Sequence, residues 1–216
     1  MSLTYHQLRD RSLDRIAGLS DGVFAFAMTL IVFEIQVPDP ATITGEAQLW
    51  SALVGLAPRF VTYLLSLLTL GIAWNAQQTF LHYVARADRA LTWLSLAVLA
   101  VITLYPFSTS LLAQFITFRL ALALYWLNLL LFGAMFFWSV AYARSARLLS
   151  DDAPDGLVAV IKRRVIVAQA LYAFGAVLAL ASTYLSIGFI VLVQLYYALA
   201  LGPRIPLLRR TVIGRS

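Results

Sequence analysis

The stretch RIAGLSDGVFAFAMTLIVFEI, Arg15 to Ile35, decides the fold. After Arg15 its only charged side chains are Asp21 and Glu34. A helix rises about 1.5 Å per residue, and about 20 apolar residues cross the hydrocarbon core of a bilayer. The stretch therefore reads as a membrane-spanning helix with Asp21 about one turn inside its first end. An acid at such depth costs several kcal/mol unless it is paired or hydrated. The alternative is that Ser20 or Asp21 caps a helix beginning at Gly22. A helix from Gly22 to Gln36 is only about 22 Å long, too short to cross unaided. The turn-free approach through Ile16, Ala17 and Leu19 also favours a helix already under way.

The rest of the chain has the same character. Of its 216 residues 62% are hydrophobic and 12% charged, whereas soluble domains are about half apolar and a quarter charged. A soluble fold of this size cannot hide so much apolar surface, and lipid accommodates it. Six stretches qualify as spans or nearly so: residues 17–37, 60–82, 91–115, 120–142, 165–185 and 187–207. The expectation is an all-α integral membrane protein, one six-helix domain over residues 1–216. The apolar segment 47–56 stops at Pro58-Arg59 and reads as a helix on the outer surface. Residues 150–156 read as a polar turn. The charged segment before the first run, and the lack of a small-residue cleavage site, favour a retained span over a signal peptide.

Positive charge sets the expected orientation. With six spans, one side collects Arg9, Arg11, Arg15, Arg86, Arg89, Arg144, Arg147, Lys162, Arg163, Arg164, Arg204, Arg209, Arg210 and Arg215. The other side keeps only Arg59 and Arg119. Both termini are expected in the cytoplasm and the protein in the inner (plasma) membrane. The net charge of +6 is thus a topology signal, and no nucleic-acid partner is needed to explain it. Without cysteine, disulfides, thiolate metal sites and a Cys nucleophile are excluded. With two histidines, His6 and His82, a His-based zinc site is disfavoured. No HExxH, Ser/His or paired-aspartate constellation points to an enzyme. No internal repeat is evident, because nothing in 120–142 echoes Ser20-Asp21. Any symmetry is therefore expected between subunits.

Projected at 100° per residue, Arg15, Gly22, Phe26, Thr29 and Phe33 fall within about 60° of one another, with Leu30 at the edge. Ser20 and Asp21 lie on the two flanks. Such a stripe is compatible with lipid contact, helix packing or a lumen. Thr29 could equally bond its own helix carbonyl. Near the end of the second span stand Trp74, Asn75, Gln77 and Gln78, at a depth comparable to Asp21. A hydrogen bond from Trp74 to Asp21 or Ser20 is expected, against the alternative of Trp74 as an interfacial belt residue.

Arg15-x3-Leu19-Ser20-Asp21, followed by Gly-Val-Phe-Ala-x-Ala-x-Thr-Leu, resembles the first helix of the transmembrane protein 175 potassium channels, in particular their bacterial members. The family pattern is Arg-x3-Phe-Ser-Asp. The resemblance implies a homotetramer whose first helices line the pore, with bulky apolar side chains as the constriction. By position these are Phe26, Leu30 and Phe33, with Thr29 as the layer contributing to potassium preference. Arg15, Ser20 and Asp21 would support the pore helix through Trp74, Gln77 and Gln78. The sequence departs from the pattern at Leu19, at Gln77 and Gln78, where bacterial relatives often carry histidines, and at Phe26, an isoleucine in relatives.

The activity that the resemblance implies is passive conduction of monovalent cations, chiefly potassium, with no cofactor beyond the permeant ion. No Thr-Val-Gly-Tyr-Gly filter occurs, so selectivity would rest on a narrow apolar constriction and Thr29. Arg15 is expected to pair with Asp14 or Asp21, and Glu34 and Asp39 to attract cations at the outer end or simply to be solvated. The alternatives are a small proton-coupled transporter using Asp21 as carrier, and a non-conducting accessory membrane protein.

Overall fold

The computed structural model describes residues 5–199, with side chains described from Ser12 onward. The described residues are helical apart from their connections. The helices are α1 (Tyr5–Leu30), α2 (Glu46–Gly55), α3 (Ala57–His82), α4 (Arg89–Thr103), α5 (Tyr105–Gln114), α6 (Arg119–Ser145), α7 (Leu157–Leu178) and α8 (Thr183–Ala198). Among the described residues four segments are long and apolar enough to cross a membrane: Ser12–Glu34, Ala57–His82, Arg89–Gln114 and Arg119–Ser145. The chain is a multi-pass membrane protein by this measure.

α1 runs without a break through Ser20, Asp21 and Gly22, so neither polar residue caps a later helix. It then tightens into a 3-10 turn over Ile31–Glu34. The buried side of α1 is Ile16, Ser20, Phe24, Ala27 and Ile31, spaced three or four residues apart as one helical stripe. This stripe packs on α3 and α4, and the 3-10 turn packs on α3 and α5. α2 follows as the short helix expected near 47–56.

The third span is continuous in space but broken at Leu104. Pro106 has no amide hydrogen to give the carbonyl of Ile102, four residues back. The Leu104 amide instead bonds Val101 O at 3.1 Å, and α5 begins afresh.

The fifth and sixth spans depart from the sequence expectation of 165–185 and 187–207. α7 ends at Leu178 and α8 begins at Thr183. Across 179–181 the ladder tightens to three-residue bonds, from Ala179, Leu180 and Ala181 to Ala176, Val177 and Leu178. Ser182 is then extended, with φ −160° and ψ 133°. Arg119 clamps the turn by donating to Leu180 O at 2.8 Å. Residues 165–178 supply only about 21 Å of apolar helix, and the first turns of α7 carry Lys162, Arg163 and Arg164. Residues 200–207 of the expected sixth span lie outside the described residues.

α7 and α8 form a tight hairpin. A Cβ at Gly175 would come within 2.8 Å of Ile190 Cγ1, and the Ser186 hydroxyl donates to Gly175 O at 2.6 Å. Small residues at helix contacts suit a bilayer, where packing and hydrogen bonds replace the hydrophobic effect between helices.

Two core clusters define the depth of the bundle. One lies midway and includes Phe24, Leu65, Tyr105 and Tyr125. The other gathers Ile16, Phe80, Leu91, Phe136, Leu148 and Val158. It places the first half of α1 beside the α3–α4 and α6–α7 connections, at one end of the bundle. Those two connections are joined by backbone bonds: Ala85 N donates to Leu148 O at 2.8 Å and Ser150 N to Tyr83 O at 2.8 Å. Gly156, at φ +80°, turns the chain out of this loop into α7 with a backbone conformation that costs other residues strain.

Candidate functional site

α3 presents Trp74 and Gln78 on one face, four residues apart, towards α1. The Trp74 indole donates to Asp21 Oδ1 at 2.8 Å, and the Gln78 amide donates to the same oxygen. The expected Trp74–Asp21 link is therefore present, and Gln78 joins it. A carboxylate that accepts from two donors is held as an acceptor, and its helix is held in rotation about its own axis.

The remaining polar residues near the motif behave differently. Ser20 is fully buried and Gln77 nearly so; Ser20 Oγ and Gln77 Oε1 lack a hydrogen-bond partner among the described residues. Neither reaches Asp21. Arg15 is exposed and makes no ion pair among the described residues, so the expected pairing with Asp14 or Asp21 is not formed. Asp21 is already engaged by neutral donors. Asp39 caps a short 3-10 turn, accepting from Ala41 N at 2.9 Å.

With the Trp74–Asp21–Gln78 latch set, the opposite side of α1 is left largely bare among the described residues. Phe26 is 64% exposed and Phe33 72%; Arg15, Gly22 and Thr29 are exposed as well, and Leu30 is half-buried. The stripe expected from the projection is thus a single, largely open face among the described residues, bordered at Gly22, Phe26 and Leu30 by Thr103 and Pro106 of the α4–α5 break. Thr29 donates its hydroxyl to Phe26 O at 2.8 Å, as a helical threonine commonly does. Its oxygen keeps acceptor capacity directed away from that bond.

A second polar group lies inside the bundle, away from this face. Ser66 Oγ contacts Thr109 Oγ1 at 2.7 Å and donates to Tyr125 Oη at 3.2 Å. Thr69 Oγ1 lies 3.1 Å from Tyr125 Oη, and Gln194 donates to Thr69. Asn128 donates to Ser108 Oγ at 3.1 Å. Four helices are thereby cross-linked, as polar side chains do in lipid. In the sequence Ser66, Thr69, Asn128 and Gln194 stand singly and Ser108 and Thr109 lie in a Ser-Thr-Ser run, and only their contacts separate them from lipid-facing polar groups.

The family model for the endosomal/lysosomal potassium channel TMEM175 matches residues 15–106, which contain the latch, the bare face and the Pro106 break. A protein named a potassium channel from Chamaesiphon minutus is 33% identical over 190 residues, covering 86% of this chain and 93% of that one. The chain belongs to the TMEM175 family. A potassium channel from Streptomyces collinus is 41% identical over 102 residues, about half of each chain. The solved structure of a lysosomal potassium-selective channel TMEM175 homolog from Chamaesiphon minutus superposes with a TM-score of 0.77 at 28% identity. That match covers 89% of this chain and 100% of the other. TMEM175 is a family of ion channels, and this all-helical bundle has its fold.

Proposed function

We propose that this chain assembles as a homotetramer and conducts monovalent cations passively, potassium in preference, through a pore lined by α1. In this reading six helices cross the membrane: α1, α3, the α4–α5 pair, α6, α7 and α8. Both termini and the joined α3–α4 and α6–α7 connections face the cytoplasm, and the membrane is the inner (plasma) membrane. The observation that carries the proposal is the bare face of α1. Lipid would accept Phe26 and Phe33, and also Gly22 and the self-bonded Thr29, but an exposed and unpaired Arg15 on the same stripe calls for water or protein beside it. A lumen shared by several copies accepts all five. The bacterial relatives are named potassium channels and the vertebrate ones proton channels, and the reading follows the bacterial ones.

Phe26, Leu30 and Phe33 would form stacked apolar rings, with Thr29 between them. An ion crossing such a constriction must shed part of its hydration, and Thr29 oxygens offer partial replacement. A larger ion with a weaker shell loses less, so potassium is preferred modestly. A ring of Phe26 side chains would also exclude water when narrow, which closes the pore by dewetting. Arg15 stands at the mouth, Trp74 and Gln78 hold the rotation of α1 through Asp21, and Ser20 and Gln77 pack behind it.

Purified protein in potassium-loaded liposomes is expected to release potassium. Phe26→Ala should raise that flux several-fold or bring potassium and sodium closer together. Unchanged flux in Phe26→Ala, Leu30→Ala and Phe33→Ala alike would remove this face from the pore. A proton-coupled transporter using Asp21 would instead show transport that follows a proton gradient and stops in Asp21→Asn while assembly is intact.

A further inference from the structure

A cavity of about 410 Å³ lies between α3, α6, α7 and α8, away from the bare face of α1. It exists because α3 packs on α1, α5 and α8 but makes no extensive contact with α6 or α7. The α7 wall repeats every three or four residues from Ile161 through Arg164, Val165 and Ala168 to Tyr172, so one helical face is turned to the gap. On the facing wall, α3 lines the cavity from Leu67 to Thr79. Twelve residues of helix rise about 18 Å, a little over half of a hydrocarbon core about 30 Å thick. The groove therefore has the depth of one leaflet.

Its two ends differ in chemistry. At the inner end the surface is mostly apolar, from Leu129 and Phe132, with Gln169 as the polar exception, its amide nitrogen donating to Leu129 O at 3.0 Å. At the end nearest the α6–α7 connection stands Arg164, exposed and without an ion pair or hydrogen bond among the described residues. Arg163 beside it is exposed too, and Lys162 lies 4.8 Å from the centre of the Phe137 ring. Of these three consecutive cations only Arg164 lines the slot, beside Tyr197, while Lys162 and Arg163 add positive charge to the neighbouring surface. A guanidinium presents paired donors to phosphate oxygens, and basic pockets between membrane helices are suited to anionic head groups. Gly71, halfway along, leaves open space where a Cβ would stand.

We infer that this groove is a binding site for an anionic phospholipid, with the head-group phosphate on Arg164 and one acyl chain laid between α3 and α7. The length of one leaflet, the apolar lining and the free cation at the rim each match one part of that molecule. Free phosphate would use the rim alone, and a neutral lipid would use the slot alone. The site does not depend on ion conduction, so it stands or falls apart from the pore.

Delipidated full-length protein in a neutral detergent provides the test. Thermal unfolding is followed as phosphatidylglycerol, phosphatidylcholine with the same acyl chains, or glycerol phosphate is added. Phosphatidylglycerol is expected to raise Tm in a saturable manner, by several degrees, and glycerol phosphate not at all. Arg164→Gln should weaken the apparent affinity for phosphatidylglycerol about tenfold, the scale of one lost charge-assisted contact, and remove the preference over phosphatidylcholine. Gly71→Leu, which fills the slot while leaving Arg164 in place, should abolish the shift by both lipids without lowering the lipid-free Tm. Equal shifts by the two lipids would make the occupant a neutral chain and overturn the proposal. So would a full response to glycerol phosphate, a preference retained in Arg164→Gln, or no shift by any lipid.

Discussion

Two carboxylates show how much a single residue decides. Asp21 accepts from Trp74 and Gln78, so Trp74→Phe, which keeps the ring and drops the donor, is expected to cost about 1 kcal/mol, read as a lower Tm in detergent. Asp88 caps α4 by accepting from Leu91 N at 2.8 Å and also takes the Tyr142 hydroxyl at 2.6 Å. Burial works to raise its pKa, but the bonds from Leu91 and Tyr142 outweigh it and leave the carboxyl below its ordinary 3.8. A depressed folded-state value stabilises above the unfolded value and is lost as pH falls through the folded one. Asp88→Ala should therefore be less stable than the parent by about 1 kcal/mol near neutral pH. The gap should close as pH drops below 3.8, which paired unfolding curves across pH will show. The Trp74–Asp21 bond was legible in the sequence because an acid inside an apolar span demands a donor at its own depth. Gln78 and Gln77 were equally eligible on that argument. Which of the two reaches Asp21 depends on the rotation of α3, and adjacent residues on a helix point about 100° apart.

At the scale of the element, hydropathy found every long span but misplaced the last turn. Apolar residues run unbroken from Ala176 to Ala181, and no Gly or Pro stands at the place where α7 stops. What stops it is tertiary: Arg119 from α6 reaches Leu180 O, and Gly175 lets α8 approach closely. Gly175→Val is accordingly expected to destabilise the hairpin by about 1–3 kcal/mol, because its side chain meets Ile190 and Phe189. Gly188→Ala, where a Cβ meets nothing, is the matched control in the same unfolding measurement. The break at Leu104, by contrast, comes directly from Pro106 and its missing amide hydrogen.

For the whole molecule, the single unpartnered face of α1 was visible as a 100° projection, but its exposure was not, since period alone cannot tell a lumen from a packing seam. The buried cross-links among Ser66, Thr69, Thr109, Tyr125 and Gln194 were invisible for the same reason, being pairs separated by as many as 125 positions. Orientation can be tested cleanly because the chain has no cysteine. In sealed cells Thr44→Cys is expected to react with an impermeant thiol reagent and Asp151→Cys only after the membrane is opened. The reverse pattern would invert the proposed topology.

The paired bonds between Tyr83–Ala85 and Leu148–Ser150 give that end of the bundle a handle. The loop they anchor exposes Asp151, Asp152, Asp155 and Gly156, and its backbone is tied to Tyr83, the residue that ends α3. A pull on the loop is thus delivered to the helix that carries Trp74 and Gln78, and through them to Asp21. The two side chains that set the rotation of α1 are within mechanical reach of whatever grips the loop.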